Sequence, residues 1–301
     1  MSDYENSKHF DSDENFDDII AEKQEQIKAR RGRKPGGKNA IKEPEEEIIR
    51  IKEFDLNSMP PYSVNDDKNG IKIVVIGKPG TGKSTIIQDI VASKSHIAAV
   101  AQIFSGTEDS NHYYSEKFPP CCIFNKLDMD AIKNFEIRQK IAKKYLPNPW
   151  AIQIIDDCTD NPSILRDPIF QAYYKNGRHW SMIHILSLQY SLDILPSIRT
   201  NIDYTFILRE TNQRNRKALF ENYAGSIANF QLFQDIMDDI TEDYTALVIN
   251  NRVQSNKIED TVFYYKAKPD RLPPTWKFGH PTAWEFNAER LDPNSSSALI
   301  G

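Results

Sequence analysis

Short apolar runs alternate with segments of helical apolar spacing through the middle of the chain. After the first long run, Ile86, Ile87 and Ile90 have the spacing of one helix face. Strands that alternate with helices form parallel sheets covered on both faces, so the pattern predicts an α/β fold with a mostly parallel central sheet. The predicted strands are residues 48–54, 73–76, 98–104, 121–124, 151–155, 181–188, 204–208, 244–249 and 261–266.

The ends of the chain differ from the middle in composition. Residues 1–46 carry an acidic block and then a basic block with few aromatic residues, which is typical of disorder. We therefore expect a disordered tail over residues 1–46, a folded domain over residues 47–268 and a C-terminal extension over residues 269–301. The net charge of -5 argues against nucleic-acid binding, but the basic arm within the tail has enough lysine and arginine to neutralise several phosphates.

Composition excludes several classes of protein. The chain has 301 residues with 39% hydrophobic and 27% charged content, which allows a sizeable core. No apolar run approaches the roughly 20 residues of a membrane helix, so we expect no membrane span. The acidic N-terminus lacks the basic and apolar parts of a signal peptide, which predicts a protein that stays on the cytosolic side. None of the three cysteines has zinc-like spacing with histidine.

A complete phosphate-binding loop follows the apolar run at residues 73–76 and precedes a predicted helix. In such a loop the backbone amides and the helix N-terminus hold the β and γ phosphates of a nucleotide. Lys83 is expected to pair with the phosphate charge and Ser84 to ligate Mg²⁺. The predicted ATP-binding residues are Gly77, Lys78, Pro79, Gly80, Thr81, Gly82, Lys83, Ser84 and Thr85.

Polar residues end two other predicted strands. Asp156 and Asp157 close the run at 151–155, where Asp156 is placed to hold Mg²⁺ with Ser84 and Asp157 to orient the attacking water, as in a Walker B element. Gln189 ends the run at 181–188 and is placed to contact the γ-phosphate or the water. The alternatives are a helix cap or surface carboxylate for Asp157 and an ordinary strand-end amide for Gln189.

Together these motifs resemble the DNA-packaging ATPases of nucleocytoplasmic large DNA viruses, within the FtsK–HerA class of P-loop NTPases. The resemblance covers roughly residues 70–250. It implies a RecA/FtsK–HerA-like fold and an ATP hydrolase that drives double-stranded DNA into a preformed capsid. The motifs that carry it are Gly77 to Thr85, Ser105-Gly106-Thr107-Glu108, Ile155-Asp156-Asp157, Asn176-Gly177-Arg178-His179, Leu188-Gln189, Leu195-Pro196 and Arg199 to Tyr204.

The resemblance also implies an assembly and a location. Such motors are rings, commonly of five or six subunits, that act with a capsid or portal component at the virus assembly site in the host cytoplasm, with association with the virion also open. An arginine of one subunit completes the site of its neighbour. Arg178 is our first choice for that arginine and Arg199 the second, with a salt bridge or a solvated loop charge as the alternative for each.

Other classes of function remain open at this stage. A cellular or mobile-element FtsK/HerA-type translocase would share the same motifs. Asn125-Lys126-Leu127-Asp128 matches a guanine-reading signature, but it precedes Asp156 instead of following it, so we interpret Asp128 as a helix cap. A small-molecule kinase and a regulatory or scaffold protein that only keeps a GTP- or ATP-binding fold fit the pattern less well.

Overall fold

The structure, a computed structural model, describes residues 50–66, 69–158, 163–268 and 270–290. The predicted tail over residues 1–46 lies outside this part of the chain. The strands are β1 (Lys52–Glu53), β2 (Ile71–Ile76), β3 (Val100–Ser105), β4 (Ile123–Phe124), β5 (Ala151–Asp156), β6 (Met182–Leu188), β7 (Tyr204–Ile207), β8 (Thr245–Asn250) and β9 (Val262–Lys266). The α-helices are α1 (Lys83–Lys94), α2 (Glu108–Asn111), α3 (Met129–Tyr145), α4 (Pro168–Asn176), α5 (Pro196–Arg199), α6 (Gln213–Tyr223), α7 (Phe230–Ile240), α8 (Ile258–Thr261) and α9 (Pro281–Arg290).

The described strands form one sheet in the order β1-β9-β8-β7-β2-β6-β5-β3-β4. Every neighbouring pair is parallel except those that β8 makes with β7 and β9. The central strand β2 pairs with β6 in a register that sets Ile76 beside Leu188, and with β7 in a register that sets Ile76 beside Ile207. The predicted α/β fold with a mostly parallel central sheet is confirmed.

The sheet is covered on both faces, as its sequence pattern requires. Alternate residues of β2 point to opposite sides: Ile73 and Val75 belong to one core cluster, and Val74 and Ile76 belong to the other. The first cluster includes the apolar residues of α1, and the second includes those of α3, α4, α6 and α7. Since both faces are buried, the strands appear in the sequence as continuous apolar runs without polar alternation.

Several predicted elements are shorter or of another kind in the structure. Of the predicted strand 48–54, only Lys52–Glu53 pairs within the described residues. The predicted strand 121–124 is a 3₁₀ turn over Pro120–Cys122 followed by two strand residues, because Pro120 at the start of that turn has no amide to give to a ladder. Thr261 ends α8 instead of starting β9.

The described part of the C-terminal extension packs on the domain. Phe278 is buried, and its ring stacks on that of Phe118 with centroids 4.9 Å apart. The backbone amide of Phe278 donates to the carbonyl of Lys117 at 2.7 Å. These contacts join residues after 270 to the same core cluster that contains α1.

Candidate nucleotide site

The phosphate-binding loop leaves β2 at Gly77 and enters α1 at Lys83. The Gly77 amide donates to the carbonyl of Leu188 at 3.0 Å, which ties the start of the loop to the end of β6. A Cβ at Gly77 would lie 2.6 Å from Thr81 Oγ1, so the loop closes only around glycine there. Gly82 caps α1 with a φ of 100°, a left-handed conformation that other residues rarely adopt.

Lys83 lies almost fully buried beneath the loop. Its Nζ is 3.3 Å from the Lys78 carbonyl oxygen and 3.8 Å from Asp157 Oδ1. The structure thus brings together the lysine of the loop and the second carboxylate of β5, two residues that are 74 positions apart in the sequence. A buried ammonium that faces the helix N-terminus is the expected partner for a triphosphate.

Asp156 is the last residue of β5, and its buried side chain lies beside Ser84 at the start of α1. The Ser84 hydroxyl donates to Asp156 Oδ2 at 3.4 Å, and the Tyr114 hydroxyl donates to the same oxygen at 2.8 Å. Asp156 Oδ1 is buried and accepts no hydrogen bond of normal geometry from the described residues. Burial raises the pKa of the Asp156 carboxyl, so a nearby cation would stabilise its charged form.

These donors fit a magnesium ion that also binds a nucleotide. Among the described residues, no group of three or more His, Cys, Asp or Glu side chains forms a metal site by itself. Mg²⁺ commonly binds one or two protein oxygens and completes its shell with phosphates and water. Ser84 Oγ and Asp156 Oδ2, which lie 3.4 Å apart, supply that kind of partial site.

Asp157 and Gln189 meet at the carboxyl edge of the sheet. Gln189 Nε2 donates to Asp157 Oδ1 at 3.3 Å. Asp157 has a φ of 48°, and a Cβ on the facing Gly106 would come within 2.3 Å of its carbonyl oxygen. Gly106 is therefore required for the turn that carries Asp157 beside Lys83. Since β6 lies between β5 and β2, Gln189, the residue that follows β6, sits between the two strands whose ends carry the carboxylates and the loop.

Two residues contribute to the site although no sequence motif marks them, Tyr114 and Glu210. Tyr114 is positioned by Glu108, whose carboxylate oxygens accept the amides of Tyr114 at 3.0 Å and Ser115 at 2.8 Å. Burial raises the pKa of the Tyr114 hydroxyl, which keeps it a hydrogen-bond donor to Asp156. The role of Tyr114 follows from the path of the loop after β3, which no local pattern of residues predicts.

Glu210 is the second such addition, and it contacts the loop from the end of β7. Its Oε1 lies 2.6 Å from Lys78 Nζ. The Asn212 amide and the Asn215 side chain also donate to its carboxylate, at 2.7 and 3.0 Å. Although partial burial acts to raise it, the pKa of the Glu210 carboxyl is lowered by the donors of Lys78, Asn212 and Asn215. Glu210 therefore stays charged and ties the loop to the start of α6.

Arg178 lies away from the phosphate-binding loop, and Arg199 is engaged within its own segment of the chain. Arg178 Nη2 is 2.8 Å from Asp203 Oδ1 and donates to the Asn201 carbonyl at 2.9 Å. Its backbone carbonyl accepts the amide of Gly70, just before β2 begins, which places it at the amino edge of the sheet. The loop leaves the other end of β2, roughly 20 Å away for six strand residues. Arg199 Nη1 donates to the Ile194 carbonyl at 2.7 Å. A role in trans for either arginine stays a prediction.

The guanine-like motif lies far from the loop. Asp128 accepts the amides of Asp130 and Ala131 at 2.8 and 3.0 Å and so caps α3, as interpreted from the sequence. The adjoining β4 is at the edge of the sheet, with β3, β5 and β6 between it and β2. Asn125 hydrogen-bonds Asp109 instead of facing the loop.

The loop borders a cavity of about 550 Å³ at the carboxyl edge of the sheet. This volume is in the range of sites for small molecules and cofactors. The described residues that line it are Pro79, Gly80, Gly82, Lys83, Ser84, Thr85, Asp157, Asp243, Tyr244, Lys266 and Ala267.

Comparison with known proteins places the chain among viral proteins. No protein-family model matches it. It is 49% identical over 226 residues to the uncharacterized protein 088R of invertebrate iridescent virus 3, a match that covers 74% of this chain and 87% of that protein. The chain belongs to the same family as 088R. A further member of that family, protein 075L of invertebrate iridescent virus 6, is 45% identical over 80% of this chain and 95% of its own length.

The predicted relationship to proteins of large DNA viruses is confirmed, because the family that contains 088R consists of such proteins. Among solved structures, the chain is similar to the DNA-packaging ATPase B204 of Sulfolobus turreted icosahedral virus. That similarity covers 67% of this chain and 99% of that chain, at 14% identity and a TM-score of 0.49. None of the described helices is both long and apolar enough to cross a bilayer.

Proposed function

We propose that this member of the 088R family is an ATP-driven translocase that packages double-stranded viral DNA into a preformed capsid. The observation that carries the proposal is the convergence of Lys83, Ser84, Asp156, Asp157 and Gln189 at the carboxyl edge of the sheet, beside the cavity that Lys83, Ser84 and Asp157 line. These residues come from three strand ends that only the folded sheet brings together. The membership of the chain in a family of large-DNA-virus proteins supports the packaging role over a cellular translocase.

In the proposed reaction each residue has a physical task. The loop amides and Lys83 bind the β and γ phosphates of ATP and offset their charge. Ser84 and Asp156 would hold Mg²⁺, which supplies further positive charge at the phosphates. Asp157 accepts a hydrogen bond from the attacking water, and Gln189 fixes the Asp157 carboxylate through its 3.3 Å contact. Loss of the γ-phosphate changes the surroundings of Gln189 and hence of the loop that follows β6.

The proposed assembly extends beyond one subunit. A ring of this chain, commonly of five or six subunits, would encircle the duplex and act with a capsid or portal component. The basic arm within residues 28–42 is proposed to contact DNA phosphates. The proposed location is the host cytoplasm at the virus assembly site, and association with the virion is proposed as a second location.

Hydrolysis measured with and without duplex DNA tests the proposal. We expect the wild-type chain to hydrolyse ATP in preference to GTP, at a rate that rises when double-stranded DNA is added. Lys83→Ala should reduce the rate by about 10²- to 10³-fold or more, because it removes a buried cation from the phosphates. Lys140→Ala is the matched control, since Lys140 is an exposed helix lysine paired with Glu136.

The outcomes separate the parts of the proposal. A GTP preference would contradict the choice of ATP as the nucleotide, and a Lys83→Ala variant as active as the control would contradict the site. A hydrolysis rate that duplex DNA leaves unchanged would contradict the motor while leaving the ATPase intact.

A further inference from the structure

The wall of the cavity opposite the phosphate-binding loop is built from the turn before β8 and the end of β9. Because β8 runs antiparallel to β7, its first residue lies at the edge where β7 and β2 end. Because β9 runs antiparallel to β8, its last residue, Lys266, returns to that edge and pairs with Thr245. The turn before β8 and the end of β9 are thus brought opposite Gly82 and Lys83.

The turn before β8 has an uncommon backbone conformation. Asp243 and Tyr244 are consecutive residues with φ values of 48° and 60°. Such left-handed conformations cost on the order of 1–3 kcal/mol for a residue other than glycine and concentrate at functional sites. An ion pair between the Asp243 carboxylate and Lys266 Nζ joins this turn to the end of β9.

The conformation presents the Tyr244 ring to the cavity. The side chain is 64% exposed even though it lies against the loop. A Cβ at Gly82 would be 3.3 Å from Tyr244 Cδ1, so the ring borders the loop next to the first residue of α1. Tyr244 is the aromatic residue among the described residues that line the cavity.

The cavity has room for more than a triphosphate. Lys83, Ser84 and Asp157 account for the phosphate end, and the volume of about 550 Å³ extends from there to Tyr244 and Ala267. A nucleotide bound by its phosphates therefore directs its sugar and base toward that second wall. An exposed aromatic ring at such a place is suited to stack on a base, whichever base it is.

The geometry points to Tyr244 as the stacking platform for the nucleobase. This inference rests on the proposed function, because it assigns the base-binding part of the same nucleotide site. Tyr244 contacts the base, and the exposed side chains of Asp243 and Lys266 border the same cavity.

Binding of ATP and of inorganic tripolyphosphate, both with Mg²⁺, separates a base contact from a phosphate contact. We expect Tyr244→Ala to weaken ATP binding by about 5- to 150-fold, the range found when an aromatic ring stacked on a base is removed. Tripolyphosphate, which has no base, should bind the variant and the wild type equally. Tyr244→Phe keeps the ring and should bind ATP within about threefold of the wild type.

Two further variants control for backbone strain at position 244 and for the loss of an exposed tyrosine in general. Tyr244→Asn also removes the ring but tolerates a left-handed backbone, so it should reproduce the alanine result. Tyr145→Ala removes a tyrosine that is 68% exposed at the end of α3, and it should leave both affinities unchanged.

The results distinguish this inference from the function on which it rests. If the wild type binds ATP and Tyr244→Ala binds it equally well, the platform is wrong and the ATPase proposal stands. If Tyr244→Ala and Tyr244→Asn weaken ATP and tripolyphosphate by the same factor, Tyr244 supports the loop instead of the base. If the wild type binds neither compound, both proposals fail.

Discussion

The two edges of the sheet both carry charged residues, but they use them differently. At the amino edge, Asp203 accepts the Lys72 amide at 2.8 Å and faces Arg178 at 2.8 Å and Arg252 at 3.7 Å. At the carboxyl edge, Lys83 and Asp157 are 3.8 Å apart and border an open cavity. The amino-edge charges are engaged with one another around the buried carboxylate of Asp203, whereas the carboxyl-edge charges face space for a ligand.

This difference implies opposite consequences of substitution. Breaking a buried pair leaves an uncompensated charge and lowers the free energy of unfolding. Changing a charge that faces a ligand alters chemistry with little effect on folding. The predictions below compare the two edges in that way, from the largest expected effect to the smallest.

Asp157→Asn is expected to have the largest effect, and on hydrolysis alone. The amide cannot accept a proton or orient water as the carboxylate does, so the rate should fall by about 10²- to 10⁴-fold. Asparagine tolerates the φ of 48° at this position, so the fold should persist. ATP affinity and steady-state hydrolysis, measured on the same samples, check this.

The control for this variant is Asp235→Asn, an exposed carboxylate on α7. It should leave both quantities unchanged. Full hydrolysis by Asp157→Asn would remove Asp157 from the site.

Asp203→Ala tests the amino edge and should act on stability. It removes the carboxylate from Arg178 and Arg252 and from the Lys72 amide, and the expected loss is about 3 kcal/mol in the free energy of unfolding. The low end of the usual range applies because Arg178 is 32% exposed. Urea unfolding measures the loss, and ATP affinity of the folded variant should not change.

An exposed carboxylate provides the comparison. Asp235→Ala should change the free energy of unfolding by no more than about 0.5 kcal/mol. If Asp203→Ala is equally mild, the amino-edge cluster does not stabilise the fold as described.

His184 gives the amino edge a pH dependence of its own. Burial, with the charges of Lys72 and Arg178, lowers the pKa of His184 to about 3. The unfolded chain therefore binds a proton near pH 6.5 that the folded chain does not bind, and stability falls as the pH drops from 7 toward 5. The expected contribution is about 2 kcal/mol at pH 5.

Unfolding free energies at pH 7 and pH 5 measure this contribution. His184→Gln should remove it from the difference between the two values, since glutamine does not titrate. His96→Gln, a change at an exposed histidine, should keep the wild-type pH dependence. An unchanged difference in His184→Gln would mean that another group is responsible.

Much of the site could be predicted because its residues come immediately after predicted strands in the sequence. Gly77, Asp156 and Gln189 each come just after an apolar run, and the carboxyl ends of parallel strands share one edge of the sheet. The same rule explains the position of Arg178. It comes shortly before β6 begins, and residues that precede a parallel strand lie at the amino edge.

Other residues could not be predicted from local pattern. Tyr114, Glu210 and Tyr244 reach the site through loops whose course depends on Glu108, on Asn212 and on a left-handed turn. Their distances in sequence from the phosphate loop vary, and no spacing rule links them to it. Only the sheet order, with β8 reversed, brings Tyr244 opposite Gly82.

The central claim, that hydrolysis at this site moves duplex DNA, is tested most directly by displacement of a triplex-forming oligonucleotide from a linear duplex. The full-length wild-type chain should displace the oligonucleotide with ATP and Mg²⁺, and should fail to do so with a non-hydrolysable ATP analogue. Asp157→Asn should bind ATP and displace nothing. A wild-type chain that hydrolyses ATP in the presence of duplex DNA and leaves the triplex intact would contradict the account.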